Sequence, residues 1–307
     1  MNRKNIILIA VLGAAALLIP LFSGPYQMSV LRTVLTYAAL AVSWDMLIRS
    51  GQLSFGIAGF FGLGTYISAI FSIYLNMPGI PSIIIGGVLT CIIAMAIGTI
   101  ILRLRGMYFA ITTMALGEIF RIIIRNGGDF TGGPEGLIMS KLVFNGGTTA
   151  TYYLALAVAL IAIGASVYFQ KSRFHLALTT IRNNERVAMT SGINIYKTLI
   201  IVFGITAGIQ ALAGAGYAQM YGFVTPESSF SSDYTLLPLA MSLLGGMYGT
   251  WGPVVGAFLL GILSEYLKLY IPYGHLIIYG IIIVFVIIVM PQGILGLLKK
   301  KFRKEAA

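Results

Sequence analysis

What most constrains this chain is a succession of apolar runs, each ended by turn residues and most of them long enough to cross a lipid bilayer. They can be read at about 6–22, 30–48, 55–74, 81–102, 107–124, 152–170, 197–220, 234–247, 252–271 and 275–290. A helix that spans a membrane needs about 20 consecutive apolar residues, and 234–247 is the short one. Ser23-Gly24-Pro25, Met77-Pro78-Gly79, Gly127-Gly128 and Pro272-Tyr273-Gly274 punctuate the runs. Composition agrees: 58% of residues are hydrophobic and 9% are charged, against about 25% charged in a soluble domain. The mean hydropathy is +0.92. The predicted fold class is all-α, a polytopic transmembrane helical bundle of about ten crossing segments. One of these is short or broken, and a single domain takes in residues 1–307.

The charges give the bundle an orientation. With ten crossings that start inside, residues 3, 4, 49, 103, 105, 171, 173, 182, 186 and 197 and the basic tail over 298–307 fall on the cytoplasmic side. That is fifteen of the twenty lysines and arginines, the asymmetry of the positive-inside rule. The count also requires 234–247 to cross, buried in protein if its helix is broken; otherwise the tail would emerge outside. Both termini are then cytoplasmic. The first run has a longer apolar core than a signal peptide and no Ala-x-Ala site after it, so a retained helix is expected. The net charge of +11 is read as orientation and attraction to anionic membrane lipid. Nucleic acid is not expected, because no aromatic residues interleave the basic ones. Cys91 is the only cysteine, and His175 and His275 lie far apart. No disulfide framework, metal site or cofactor site is expected.

Glycine is abundant inside the runs, as in "GITAG" (204–208), "GPVVG" (252–256) and "GQLSFGIAGFFGLG" (51–64). Small residues let helices approach closely in lipid, either as fixed packing or as faces that slide during alternating access. A faint echo links 51–64 to "GGMYGTWGPVVGAFLLG" in the other half of the chain.

Two polar features stand out. On the run 107–124, Glu118, Arg121 and Arg125 share one helical face with Met107, Ile111 and Met114. Glu118 lies about 10 Å deeper than Arg125 at a rise of 1.5 Å per residue. Glu118 and Arg121 can neutralise each other, as a clamp between helices or as part of a gate. The glycine-rich "RNGGDFTGGPEGL" that follows, with Thr131, Gly132, Gly133 and Pro134, cannot be helical and forms an ordered turn or a lip on the outer face. The second feature is the long inner loop over 171–197. Its stretch "TTIRNNERVAMTSG" reads as one short helix ended by Gly192, apolar enough to meet a protein partner or the membrane surface. No G-x4-G-K-[ST], H-E-x-x-H or G-x-S-x-G motif occurs, so any uphill transport draws on a gradient or on another chain. An ion-coupled secondary transporter would titrate Glu118 and would need more midplane polar groups than this pair. A membrane enzyme would need a nucleophile or metal that is not seen.

"GQLSFGIAGFFGLGTY", "RGMYFAITTMALGEIFR…TGGPEGL", "SGIN", "GFVTPESSF", "GGMYGTWGPVVGAFLLGILSEYL" and "PQGILGL" together resemble the LivM-type permeases of bacterial branched-chain amino-acid ABC transporters. The matches run in order from about residue 50 to 297. The resemblance implies a non-enzymatic subunit of the bacterial inner membrane. It would pair with a LivH-like second permease, two ATP-binding cassette ATPases that carry the ATP and Mg, and an external substrate-binding protein. It implies branched-chain amino acids as cargo, with urea or short amides as the alternative. It also makes 171–197 a coupling loop that docks in the ATPase, with Arg182, Glu185, Ala188 and Gly192 on the docking helix. The loop departs from the broader E-A-A-x-x-x-G signature: Arg186 stands six residues before Gly192 and the Glu one position earlier, so no fixed role falls to Glu185.

Overall fold

The computed structural model describes residues 16–139, 142, 143, 147–271, 280, 281, 284, 288 and 293–296. The predicted runs 6–22 and 275–290 and the basic tail lie largely or wholly outside these. Seven described helices are long and apolar enough to cross a membrane: α1 (Pro25–Ile48), α2 (Ile57–Tyr74), α3 (Gly79–Ile101), α4 (Met107–Arg125), α5 (Thr148–Lys171), α8 (Ile195–Tyr221) and α11 (Trp251–Tyr270). Between α5 and α8 come two short helices, α6 (Arg173–Asn183) and α7 (Glu185–Thr190). Between α8 and α11 come α9 (Pro226–Ser229) and α10 (Asp233–Gly245). The chain is thus a polytopic all-α bundle, and each predicted run from 30 to 271 corresponds to one of its helices.

Proline starts α1 at a position whose N–H needs no helical partner, and Gln27 reaches back to accept from Gly24 N at 3.1 Å. α1 and α8 are mostly buried and form the core with α2. α3 packs on α8 through glycine. A Cβ on Gly208 would lie 3.1 Å from Cys91 Cβ of α3, and α2 packs on α8 more closely, where a Cβ on Gly64 would lie only 2.2 Å from Ala211 O. These are the close approaches that the glycine spacing predicts. The opposite side of α3 presents Ile80, Ile84, Val88 and Ile92 as one exposed stripe, the surface expected of a lipid-facing helix. α10 and α11 form a hairpin tighter still: a Cβ on Gly256 would lie 1.8 Å from Met241 O.

Two segments break the pattern of full-length spans. After α1 ends at the basic end of the bundle, which carries Arg49, Arg103 and Arg182, residues 51–56 turn back into the core without helical structure. α2 begins only at Ile57, level with the middle of α4: Phe55 N donates to Thr113 Oγ1 at 3.0 Å, and a Cβ on Gly59 would lie 2.7 Å from Gly117 Cα. The second break follows α8. Phe223–Val224 pairs antiparallel with Leu137–Ile138 at the far end of the bundle. The chain then returns inward through α9, and α10 starts beside the start of α2. Thr235 Oγ1 accepts from Ala58 N at 3.1 Å and donates to Phe55 O at 3.3 Å. Phe61 and Tyr234 stack at 3.9 Å there. α10, with Pro238 inside it, runs to the basic end, where Tyr248 N meets Asp45. The predicted short helix is therefore a largely buried half-helix, reached from the far end of the bundle through the strand Phe223–Val224 and the single-turn α9. The echo between 51–64 and 245–261 does not extend to position, since α2 starts at mid-height and α11 at the basic end.

Candidate functional site

Mid-height starts of α2 and α10 leave a space between them and α4. A cleft of about 520 Å³ is lined there by Phe55, Ala58 and Gly59 from the start of α2, and by Phe230, Ser232, Thr235 and Leu236 around the start of α10. Ile111, Met114, Ala115, Gly117 and Glu118 of α4 complete it. The predicted pair forms: Arg121 Nε donates to Glu118 Oε1 at 3.0 Å, and Arg121 Nη2 also contacts that oxygen. Both partners stand on α4, so the pair itself does not clamp two helices. The side chains of Glu118 and Arg121 keep 53% and 29% of their surface exposed. Met107, Ile111 and Met114 are exposed on the same side. Arg125 reaches off the helix, 3.8 Å from Glu227 of α9.

The glycine-rich loop after α4 is an ordered turn, and against expectation it includes one short helical turn of the 3-10 type over Gly128–Phe130. Thr131 is buried, and its hydroxyl donates to Ile124 O at 2.6 Å. Gly132 and Gly133 adopt φ of +72° and +53°, and a Cβ on Gly132 would strike Gly136 O at 1.9 Å. Pro134 is exposed. The turn delivers Leu137–Ile138 to the strand pair and so ties the end of α4 to the segment leading into α10.

The inner loop departs from its predicted form. It is two helices, not one, broken at Asn184, which adopts extended backbone (φ −161°, ψ 109°). Asn184 Oδ1 accepts from Arg186 N at 3.0 Å and caps α7. α7 ends at Thr190, two residues before Gly192 at φ +77°. The predicted docking residues part company. Glu185 pairs with Arg105 at 3.2 Å, and Ala188 is fully buried, facing the core and not a partner. Arg182 turns inward, its guanidinium 4.1 Å from the ring centre of Tyr248. What faces outward is a groove of about 340 Å³ lined by Leu176, Thr179, Thr180, Asn183, Asn184 and Val187. Burial, together with Arg49 and Arg182 nearby, holds the imidazole of His175 on α6 below its ordinary pKa.

One site was missed in the sequence. Asp45 and Arg49, fully buried at the basic end of α1, form an ion pair at 2.8 Å. Arg49 Nη2 donates to Ser166 Oγ at 2.9 Å, and Ser166 and Thr250 hydroxyls meet at 2.8 Å. The second oxygen of Asp45 accepts from Tyr248 N at 2.6 Å. The i, i+4 spacing of two opposite charges in an apolar run was the available signal. Among the described residues, no group of three or more metal-ligating side chains occurs.

A family model described as the branched-chain amino acid transport system / permease component matches residues 26–287. The high-affinity branched-chain amino acid transport system permease protein LivM of Escherichia coli K12 is 26% identical, over 94% of this chain and 75% of its own length. A probable LivM of Methanocaldococcus jannaschii is 27% identical, over 84% and 81%. The corresponding LivH of Escherichia coli K12 is 26% identical, over 85% and 91%. No solved structure matches. With most of the chain inside the matching model, this protein belongs to the branched-chain amino acid transport permease family.

Proposed function

We propose that this chain is the transmembrane permease subunit of a bacterial ABC importer in the inner membrane. Its basic end and both termini face the cytoplasm, and it pairs with a LivH-like permease, two ATPases and an external binding protein. The observation that carries this reading is the cleft: two helices begin at mid-height beside a charged face of α4. Lipid does not tolerate Glu118 and Arg121, so that face meets a second permease and the solute between them. Helices that start at mid-membrane offer their positive ends to a carboxylate. Ile111, Met114, Phe230 and Leu236 suit an aliphatic side chain, and Glu118 an ammonium. That combination fits a branched-chain amino acid better than urea or a short amide. At the basic end, the groove of α6 and α7 is the ATPase-docking surface.

Two experiments test this reading. Glu118→Gln alone and Arg121→Met alone each strand a charge at the interface. Each should lower ATP-driven leucine uptake by about tenfold, equivalent to ~1.4 kcal/mol. The double variant Glu118→Gln/Arg121→Met should recover assembly of the full complex, because it leaves neither charge without its partner. Single variants that transport like the wild type would place these charges in open water and remove them from the interface. For orientation, single cysteines are placed at the exposed positions Glu135 and Asn183 and at Phe302, in a background with Cys91→Ser. A membrane-impermeant reagent on intact cells should label 135 and neither 183 nor 302. External labelling at 302 would mean an odd number of crossings.

A further inference from the structure

Between the docking groove and the cleft lies a continuous set of contacts that the proposed transport reading does not yet use. Tyr248 sits in the turn joining α10 to α11 with φ +67°, a left-handed conformation that L side chains resist and that persists only where the surroundings impose it. Here the imposition is visible: the carboxylate of buried Asp45, fixed by Arg49, holds Tyr248 N at 2.6 Å. The tyrosine is about half exposed, and its ring centre lies 4.1 Å from the guanidinium of Arg182. The stem of Arg182 is seated on the turn that follows α1, where a Cβ on Gly51 would lie 3.3 Å from Arg182 Cγ. From the turn that holds Tyr248, the half-helix α10 runs from Gly245 about 15 Å at 1.5 Å per residue to Thr235, which lines the cleft and bonds both Phe55 and Ala58.

We propose that Arg182 and Tyr248 are positioning residues for coupling, the joint through which movement of α6 displaces α10 and reshapes the cleft. The buried Asp45–Arg49 pair is the fixed point against which the joint works. Arg182 rides with the docking helix, whereas Asp45 belongs to the core of α1. A shift of α6 therefore acts on the Tyr248 ring while the backbone of Tyr248 stays anchored, and the turn between α10 and α11 rotates. Because α10 is short and packed tightly on α11 through Gly245, Gly252 and Gly256, it moves as a rigid piece. This inference rests on the reading of α6 and α7 as the ATPase dock.

Its test uses the complete complex with ATPases and binding protein, and the variants Arg182→Met, Tyr248→Gly, Tyr248→Phe and the double Arg182→Met/Tyr248→Gly. Tyr248→Gly removes the ring and relieves the left-handed strain, so a role confined to stability predicts a variant at least as good as the wild type. The expected result is different. Arg182→Met and Tyr248→Gly bind the ATPases at wild-type ratio, keep basal ATP hydrolysis and melt no lower than the wild type. Their stimulation by loaded binding protein falls about fivefold or more, the scale of a coupling effect. The double variant is no worse than either single one, and Tyr248→Phe, which keeps the ring, is stimulated normally. Full stimulation of Tyr248→Gly and Arg182→Met would overturn the proposal, as would losses that simply multiply in the double variant. A wild-type complex in which the ATPases do not engage the α6–α7 groove would instead overturn the docking reading on which it rests.

Discussion

Arg49→Met should be the most destabilising single substitution at the basic end. It leaves the Asp45 carboxylate fully buried, with Tyr248 N as its remaining hydrogen-bond partner of those the structure gives it. Breaking a buried ion pair by removing one partner costs about 3–5 kcal/mol, because the stranded charge keeps its desolvation penalty. At roughly 2–4 °C per kcal/mol for a domain of this size class, the purified protein should melt about 10 °C lower. The compensating variant is Asp45→Asn/Arg49→Met. It removes both charges yet keeps a carbonyl oxygen for Tyr248 N, so most of the lost stability should return. A Tm for Arg49→Met equal to that of the wild type, by thermal unfolding in detergent, would mean that the pair is hydrated and does not hold the 246–250 turn.

The second large effect belongs to the docking groove. Leu176 and Val187 are exposed on its walls, so Leu176→Asp and Val187→Asp cost the isolated chain little. Against an apolar partner surface, each would bury an unpaired carboxylate. Burying an unpaired charge costs several kcal/mol, and a loss of even about 2 kcal/mol is roughly 30-fold in affinity. Both variants should insert and fold normally but lose ATPase binding and stimulated ATP hydrolysis. Ala188→Arg does not make this test, because Ala188 is buried and a fault there would be a fault of folding. Normal stimulation in both aspartate variants would place the ATPase contact elsewhere.

The contrast between Ala188 and Val187 shows where the sequence stopped being informative. Long apolar runs located every described spanning helix to within a few residues, because hydropathy reports directly on burial in lipid. The pair Glu118–Arg121 was legible for the same reason, since charges in an apolar run have few places to go. The half-helix α10 was legible only as a run that was too short. That α2 also starts at mid-height was hidden, because the non-helical residues 51–56, half of them buried, read in the sequence as an ordinary polar, glycine-containing turn at the membrane edge. Which side of α7 is exposed depended on the break at Asn184. Asn183 and Asn184 both favour a cap over a helix interior, so a break was signalled there, but two adjacent candidates left its position and the resulting face of α7 open. Tyr248 could not be found from the sequence at all, because its importance comes from Asp45 and Arg182, distant in the chain.

This chain is expected to pass an amino acid through the membrane only when a partner hydrolyses ATP. The most direct measurement is uptake of labelled leucine into proteoliposomes holding the complete complex, with the loaded binding protein outside and ATP enclosed at the ATPase face. The account predicts uptake that requires ATP, that persists without any proton or sodium gradient, and that Met114→Trp, filling the cleft, suppresses. Uptake driven by an ion gradient without ATP, or unchanged by Met114→Trp, would contradict it.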